Sequence, residues 1–470
     1  MIDPCEFANP QLRDLIPYEP GKPIEDVARE LGLDPDNVIK LASNENPLGP
    51  SPKAIEAMKS LASDVHVYPD GGGWKLRNAI AEKFSLSMDN IVLGNGSNEI
   101  IEFVGHSFLK PGDQVIVAEH AFVVYKLMAT LFGADTVEVK DPNFVHDLEA
   151  MAAAVTSKTR QIFIANPNNP TGTLVKQEEI DRFMDAVPED VIVIFDEAYY
   201  EFLDSPPDTL KYIREGRNVI VMRTFSKIQG LAGLRIGYGI TTPGLASILQ
   251  KTRQPFNANL LAQEAALAAL ADEEHQEKTK EITDEGRELL QNEFEKMGIE
   301  FVTSYANFVL IKVGDGDAVF EKMLQKGVIV RAMRGYKLPE WIRVSIGNST
   351  NAYDDFFVSG SEDLVGGWKC YCVDYEATPD LTTGSPSGTG TVGLQLRTIG
   401  TINKSNLGVD AIRYGTGIDA TGGGSPDPDL NFSTIAATDG LVANQWGVCQ
   451  PSDAGVNLQG RIRIGADDTS

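Results

Sequence analysis

Between residues 91 and 223, five short β-branched runs alternate with stretches of helical period, and this alternation limits the possible folds more than any other feature. The runs at 91–93, 114–118, 161–165, 191–196 and 218–223 read as buried strands. Helix-like stretches fall near 97–110, 122–132, 177–186 and 207–215. Strand–helix alternation predicts an α/β protein, a mostly parallel sheet with helices on both faces. Ligands of such sheets gather at the carboxyl ends of the strands. A long helix is expected over 258–297, with strands after it at 307–313, 327–330 and 342–346, a second and smaller α/β unit.

The residues just beyond the expected strands carry the chemistry. Asp196-Glu197-Ala198-Tyr199 closes the fourth run. A carboxylate there can face a ring nitrogen and a tyrosine three residues on can reach a ring oxygen, although a lone motif of this kind also serves as a helix cap. Asn166-Pro167-Asn168-Asn169-Pro170-Thr171-Gly172 follows the third run; its residue types favour a tight turn, but a run of seven exceeds what a turn needs. Thr224-Phe225-Ser226-Lys227 follows the fifth, then Gly233-Leu234-Arg235-Ile236-Gly237. A lysine at the end of a buried strand has a depressed pKa and can form a Schiff base, while Ser226 and Arg235 can hold a phosphate. Gly94-Asn95-Gly96-Ser97-Asn98-Glu99 opens a helix, whose N-terminal N–H groups bind anions, but it lacks the dinucleotide fingerprint. Arg331 and Arg343 stand in apolar strand contexts, where a planar fork suits carboxylate or phosphate.

Composition divides the chain. Residues 351–470 hold 19 of the 44 glycines and about a third of the net charge of -26. With short β-branched runs at 391–402 and 460–465, this part reads as short strands with many turns, or as irregular sequence. The acidity excludes nucleic acid and anionic membrane as partners, because both repel it. The N-terminus has no apolar core of a signal peptide, and no stretch approaches the length of a membrane span. Cys5, Cys370, Cys372 and Cys449 match no zinc or disulfide framework, so no metal is expected and the setting reads as reduced and cytoplasmic.

Taken in order, the motifs resemble the fold-type I pyridoxal-phosphate aminotransferases, most closely the histidinol-phosphate aminotransferase family. The series is Ser43-Asn44-Glu45-Asn46-Pro47-Leu48-Gly49, Tyr68-Pro69-Asp70, the 94–99 loop, His120–Tyr125, the 166–172 loop, Asp196–Tyr199, Ser226-Lys227, Gly233–Gly237 and Val330–Gly347. The resemblance runs from about residue 15 to 347. It implies a large sheet domain at 46–255, a small α/β domain at 256–350 that shares the arm 1–45, and an extension at 351–470 foreign to the family. It implies pyridoxal 5′-phosphate as cofactor and Lys227 as the Schiff-base lysine. Asp196 is implied as the carboxylate at the ring nitrogen, and Asn169 and Tyr199 as partners of the phenolic oxygen. Phe122 stacks on the ring. Ser97, Asn98, Ser226 and Arg235 form the phosphate cup, with Tyr68 reaching it from the partner of a homodimer. Arg343 reads the carboxylate of glutamate or 2-oxoglutarate; Tyr18, Asn44 and Arg331 contact substrate, Arg331 its phosphate. The implied reaction passes an amino group from glutamate, the amino donor, to a keto substrate, imidazole acetol phosphate. Related readings are an aromatic amino acid aminotransferase, a threonine-phosphate decarboxylase, or a non-enzymatic binding protein carrying a degraded aminotransferase domain.

Overall fold

The computed structural model describes residues 3–13, 15, 17 and 21–348, together with the strand segments 371–376, 391–398 and 459–465. The chain divides into two compact units, Met1–Ser349 and Thr350–Ser470.

Seven strands form the central sheet of the first unit. Their spatial order is Ile91–Gly94, Gly237–Thr241, Val219–Thr224, Ile192–Asp196, Thr159–Ala165, Gln114–Ala118 and Asp135–Val139. Gly237–Thr241 is antiparallel to both its neighbours; the other pairings are parallel. Four of the interior strands are buried over nearly their whole length, which is why they read as continuous apolar runs rather than alternating ones. One apolar layer packs Ile116, Ile162, Ile164, Val193, Phe195 and Val221 on one face. Val115, Val117, Phe163, Ile194, Ile220 and Met222 fill the other. The alternation of odd and even residues between the layers is the period-two signature of a sheet covered on both sides.

Two strands of this sheet are absent from the sequence expectation. Asp135–Val139 went unpredicted because it is an edge strand with polar residues, partly exposed. Gly237–Thr241 was hidden in a glycine-rich motif. There the glycines serve close packing: a Cβ at Gly237 would lie 2.4 Å from the Ser97 amide nitrogen. The expected helix 258–297 is two helices, Leu260–Leu270 and Glu273–Lys296. The break is at Asp272, whose carboxylate accepts a 2.6 Å hydrogen bond from Ser51 Oγ and pairs with Lys53. A tertiary anchor thus overrides a locally helical composition.

The smaller antiparallel sheet has the order Arg331–Ala332, Trp341–Ser345, Phe308–Lys312 and Phe301–Val302. A further parallel pair joins Ile39–Lys40 near the N-terminus to Val328–Ile329. In the second unit Tyr371–Glu376, Thr391–Thr398 and Gln459–Gly465 pair as an antiparallel three-stranded sheet. Cys370 and Cys449 lie outside the described residues, as does Tyr18. No helix among the described residues is long and apolar enough to cross a membrane.

Candidate functional site

The carboxyl ends of five parallel strands deliver the sequence-predicted groups to one edge of the large sheet. Ile192–Asp196 ends on Asp196 and Val219–Thr224 runs into Ser226 and Lys227. Thr159–Ala165 leads into the 166–172 loop, where the Asn166–Pro167 and Asn169–Pro170 peptide bonds are cis. Gln114–Ala118 leads to Phe122, and Ile91–Gly94 to the helix Ser97–Phe108.

Asp196 is buried, and desolvation pushes its carboxyl above the ordinary range. Two donors oppose that shift: Tyr125 OH bonds Oδ2 at 2.6 Å and the Ala198 amide bonds Oδ1 at 3.2 Å. Lys227 Nζ is 5.6 Å from the centre of the Tyr199 ring and donates to the carbonyls of Ser43 and Asn44 at 3.4 and 3.3 Å. Desolvation first, then the Arg343 cation, lowers its pKa to about 8. At neutral pH part of the lysine is therefore a neutral amine, the nucleophilic form. In the protein free of cofactor, the rate at which Lys227 captures an aldehyde is expected to rise with pH and level off above about 8, instead of near the 10.5 of an ordinary lysine. A pH series of capture rates measured by absorbance checks this.

Asn44 ties the site together. It is 1% exposed and holds a left-handed φ of 55°, a conformation asparagine tolerates. Its Nδ2 donates to Tyr199 OH at 2.8 Å, its Oδ1 accepts from Ser345 Oγ at 2.9 Å, and its carbonyl accepts from Asn307 Nδ2 at 3.0 Å. Burial raises the Tyr199 pKa to about 12. Arg343 donates from Nη1 to Asn169 Oδ1 at 2.5 Å and from Nη2 to the Ala42 carbonyl at 2.6 Å. Arg331 is the strand partner of Arg343 and approaches Gly21. Lys227, Tyr199, Asn44, Asn169 and Arg343 are thus linked into one cluster.

A second group surrounds the N-terminus of Ser97–Phe108. Gly96 has φ 76°, and a Cβ there would lie 2.3 Å from Arg235 Nη2, so the guanidinium rests directly on the backbone that opens the helix. Arg235 and Asn98 are exposed and Ser97 partly so, while Ser226 is buried and takes a hydrogen bond from Thr224 Oγ1 at 2.9 Å. Backbone N–H groups and a guanidinium form a site for a dianion. Phe122 is partly buried, edge-on to Tyr125 with centroids 5.7 Å apart. Tyr68 lies at the surface. It is 79% exposed and stacks on Phe256 at 4.8 Å.

Sequence reasoning missed three groups. Tyr125 lay within a quoted motif but was given no role. Ser345 and Asn307 carry no signal in residue type; only the fold brings them to Asn44. The third group lies behind the strands, where the Arg223 guanidinium pairs with Glu197 through Nε and Nη2 at 2.9 and 2.8 Å. It is sandwiched between the rings of Tyr200 and Phe84. Because Glu197 succeeds Asp196 it points to the opposite face of the sheet.

Comparison with known proteins places these features in context. A family model described as aminotransferase class I and II matches residues 36–359. A protein of Akkermansia muciniphila named histidinol-phosphate aminotransferase is 56% identical over 342 residues, covering 73% of this chain and 94% of that protein. A protein of the same name from Moorella thermoacetica is 45% identical, covering 76% and 93%. Among solved structures, histidinol-phosphate aminotransferase of Sinorhizobium meliloti, in complex with pyridoxal-5′-phosphate, superposes with a TM-score of 0.67 at 27% identity, covering 73% of this chain and 94% of that one.

Proposed function

Since this chain belongs to the class I and II aminotransferases, we propose that it acts as a histidinol-phosphate aminotransferase, exchanging an amino group between glutamate and imidazole acetol phosphate with pyridoxal 5′-phosphate as cofactor. The observation that carries the reading is the pairing of a buried carboxylate, Asp196, with a lysine of depressed pKa, Lys227, at one sheet edge. The donor set fits the cofactor: a carboxylate for a ring nitrogen, an amine for an aldehyde, and a helix N-terminus under a guanidinium for a phosphate.

Bound there, pyridoxal 5′-phosphate supplies a carbonyl carbon that accepts the amino group and a ring that draws electrons from the reacting carbon. Asp196 holds its negative charge against the ring-nitrogen proton. Asn169 Nδ2 and Tyr199 OH would donate toward the phenolic oxygen, and Phe122 would cover the ring face. Ser97, Asn98, Ser226 and Arg235 would hold the phosphate, and in a homodimer Tyr68 of the second subunit would close the cup. Lys227 Nζ, as a neutral amine, takes the proton from the donor's Cα and in the return half-reaction restores one to the acceptor carbon. The Arg343 fork grips the glutamate carboxylate, and Arg331 meets the phosphate of the other substrate. Asn44 lines the same space; Tyr18 is assigned to substrate by the family resemblance alone. The two substrates use one site in turn, which makes the kinetics ping-pong.

In this reading residues 46–255 form the cofactor domain, and residues 256–350 with the arm 1–45 form the small one. The pairing of Ile39–Lys40 with Val328–Ile329 supports that division. A cytoplasmic setting is supported by the low cysteine usage, 4 in 470 residues. A homodimer is supported by exposed apolar side chains at Val65, Val67, Tyr68, Trp74 and Phe256, since clustered apolar surface marks association. Light scattering is expected to give twice the chain mass of 51.0 kDa; a monomer at micromolar concentration removes Tyr68 from the site.

The assignment is tested by spectrum and by substrate. The protein loaded with pyridoxal 5′-phosphate should absorb in the visible and lose that band on adding glutamate. Turnover should favour histidinol phosphate over phenylalanine, and threonine phosphate should lose no carbon dioxide. A preference for phenylalanine overturns the substrate, and an unchanged band overturns the reaction.

A further inference from the structure

The mechanism above leaves unused a buried ionisable group that touches Asp196. Tyr125 is 1% exposed, at the start of the helix Val124–Leu131. Its ring lies flat against Phe163, with centroids 4.5 Å apart and an interplanar angle of 11°, and Phe122 meets it edge-on. These contacts fix the ring, so its hydroxyl has one direction. That direction is Asp196 Oδ2, at 2.6 Å.

We propose that Tyr125 is the positioning residue of Asp196, holding the carboxylate in one rotamer and keeping it ionised where it meets the ring nitrogen. Asp196 Oδ1 takes only a long bond from Ala198, while Oδ2 takes the short one from Tyr125. A hydrogen bond to a charged acceptor in a dry site stabilises the charged form and sets its orientation. The groups facing Asp196 are Tyr125 from the helix, Lys227 from the neighbouring strand end, and Glu197 on its own strand; Tyr199 and Tyr336 stand near Tyr125 itself. Tyr125 is the one whose bond to the carboxylate is both short and fully buried. Its own pKa is pushed well up by burial and by Asp196, so it stays a donor throughout the working pH range.

The inference rests on the cofactor reading, and its test separates the two. Pyridoxamine 5′-phosphate has no aldehyde and cannot bond covalently to Lys227, so its affinity reports the ring-nitrogen contact directly. Affinity is measured by fluorescence titration of the cofactor-free protein from pH 6 to pH 9. Tyr125→Phe keeps the ring stack and removes only the donor. Its dissociation constant is expected to rise about tenfold, the worth of one hydrogen bond to a charged group. Below the apo Asp196 pKa, binding must release the carboxyl proton and weakens as pH falls; loss of the Tyr125 donor raises that pKa, so the break should move to higher pH in Tyr125→Phe. Phe163→Leu loosens the ring packing but leaves the hydroxyl. It should lower the thermal midpoint while leaving the break in place. Equal affinity and an unmoved break in Tyr125→Phe overturn the inference alone. A shift of the break in Phe163→Leu as large as in Tyr125→Phe also overturns it, reducing Tyr125 to packing. Failure of the unaltered protein to bind pyridoxamine 5′-phosphate overturns the cofactor reading and this inference with it.

Discussion

Lys227→Ala is expected to lower the rate of transamination by about 10⁴-fold, the upper range for removing a positioned proton carrier. The reason lies in how the site divides its labour. Tyr199, the ring beside Lys227, has its pKa pushed up to about 12 and is a poor base at neutral pH. Asp196 is engaged by Tyr125 and Ala198. Lys227 alone combines a pKa of about 8 with a flexible stem beside Tyr199 and Asn44. The phosphate group around Ser97 and Arg235 does not include Lys227, so the variant should still bind cofactor. The loss should therefore fall on the chemical step, read as single-turnover decay of the visible band after mixing with glutamate. Added small primary amines should restore part of the rate. Turnover within tenfold of the unaltered protein would remove Lys227 from the mechanism.

The second large effect is on stability. Arg223→Met is expected to cost about 3–5 kcal/mol, the usual penalty for leaving a buried charge unpaired. Arg223 is 2% exposed and Glu197 3%. Burial pushes the Glu197 carboxyl up, and Arg223 pulls it back toward the ionised form. Both Nε and Nη2 of Arg223 bond the same carboxylate oxygen, and Thr209 Oγ1 bonds the other. Methionine keeps the volume between the Tyr200 and Phe84 rings but strands Glu197. The double variant Arg223→Met with Glu197→Gln removes both charges and should recover at least half of the loss. Urea midpoints of the unaltered protein and the two variants decide this; equal midpoints of the single and double variants would mean that the stranded Glu197 charge is not the source of the loss.

The sheet and most of the site were legible because both depend on patterns local in sequence. Buried parallel strands must be apolar on both faces, so runs such as 114–118 stand out, and the groups at their carboxyl ends follow at once. Lys227, Asp196 and Asn169 were found this way. What could not be read depends on distant parts of the chain. The break at Asp272 needs Ser51 and Lys53, more than two hundred residues away in sequence. Tyr125 could be read only as an apolar helix residue until its hydroxyl was seen on Asp196. Glu197 looked like a surface acid beside its neighbour, since nothing near it in sequence announces Arg223 behind the sheet.

Asn44 carries a consequence for how such a chain can be recombined. Its side chain and carbonyl bind Tyr199 and Lys227 of the large sheet region on one hand and Ser345 and Asn307 of the smaller sheet region on the other. The two regions therefore share an interlocking residue and are not interchangeable parts. A chimera that takes residues 256–348 from a relative will inherit a lock cut for another key unless the segment around residues 42–46 travels with it.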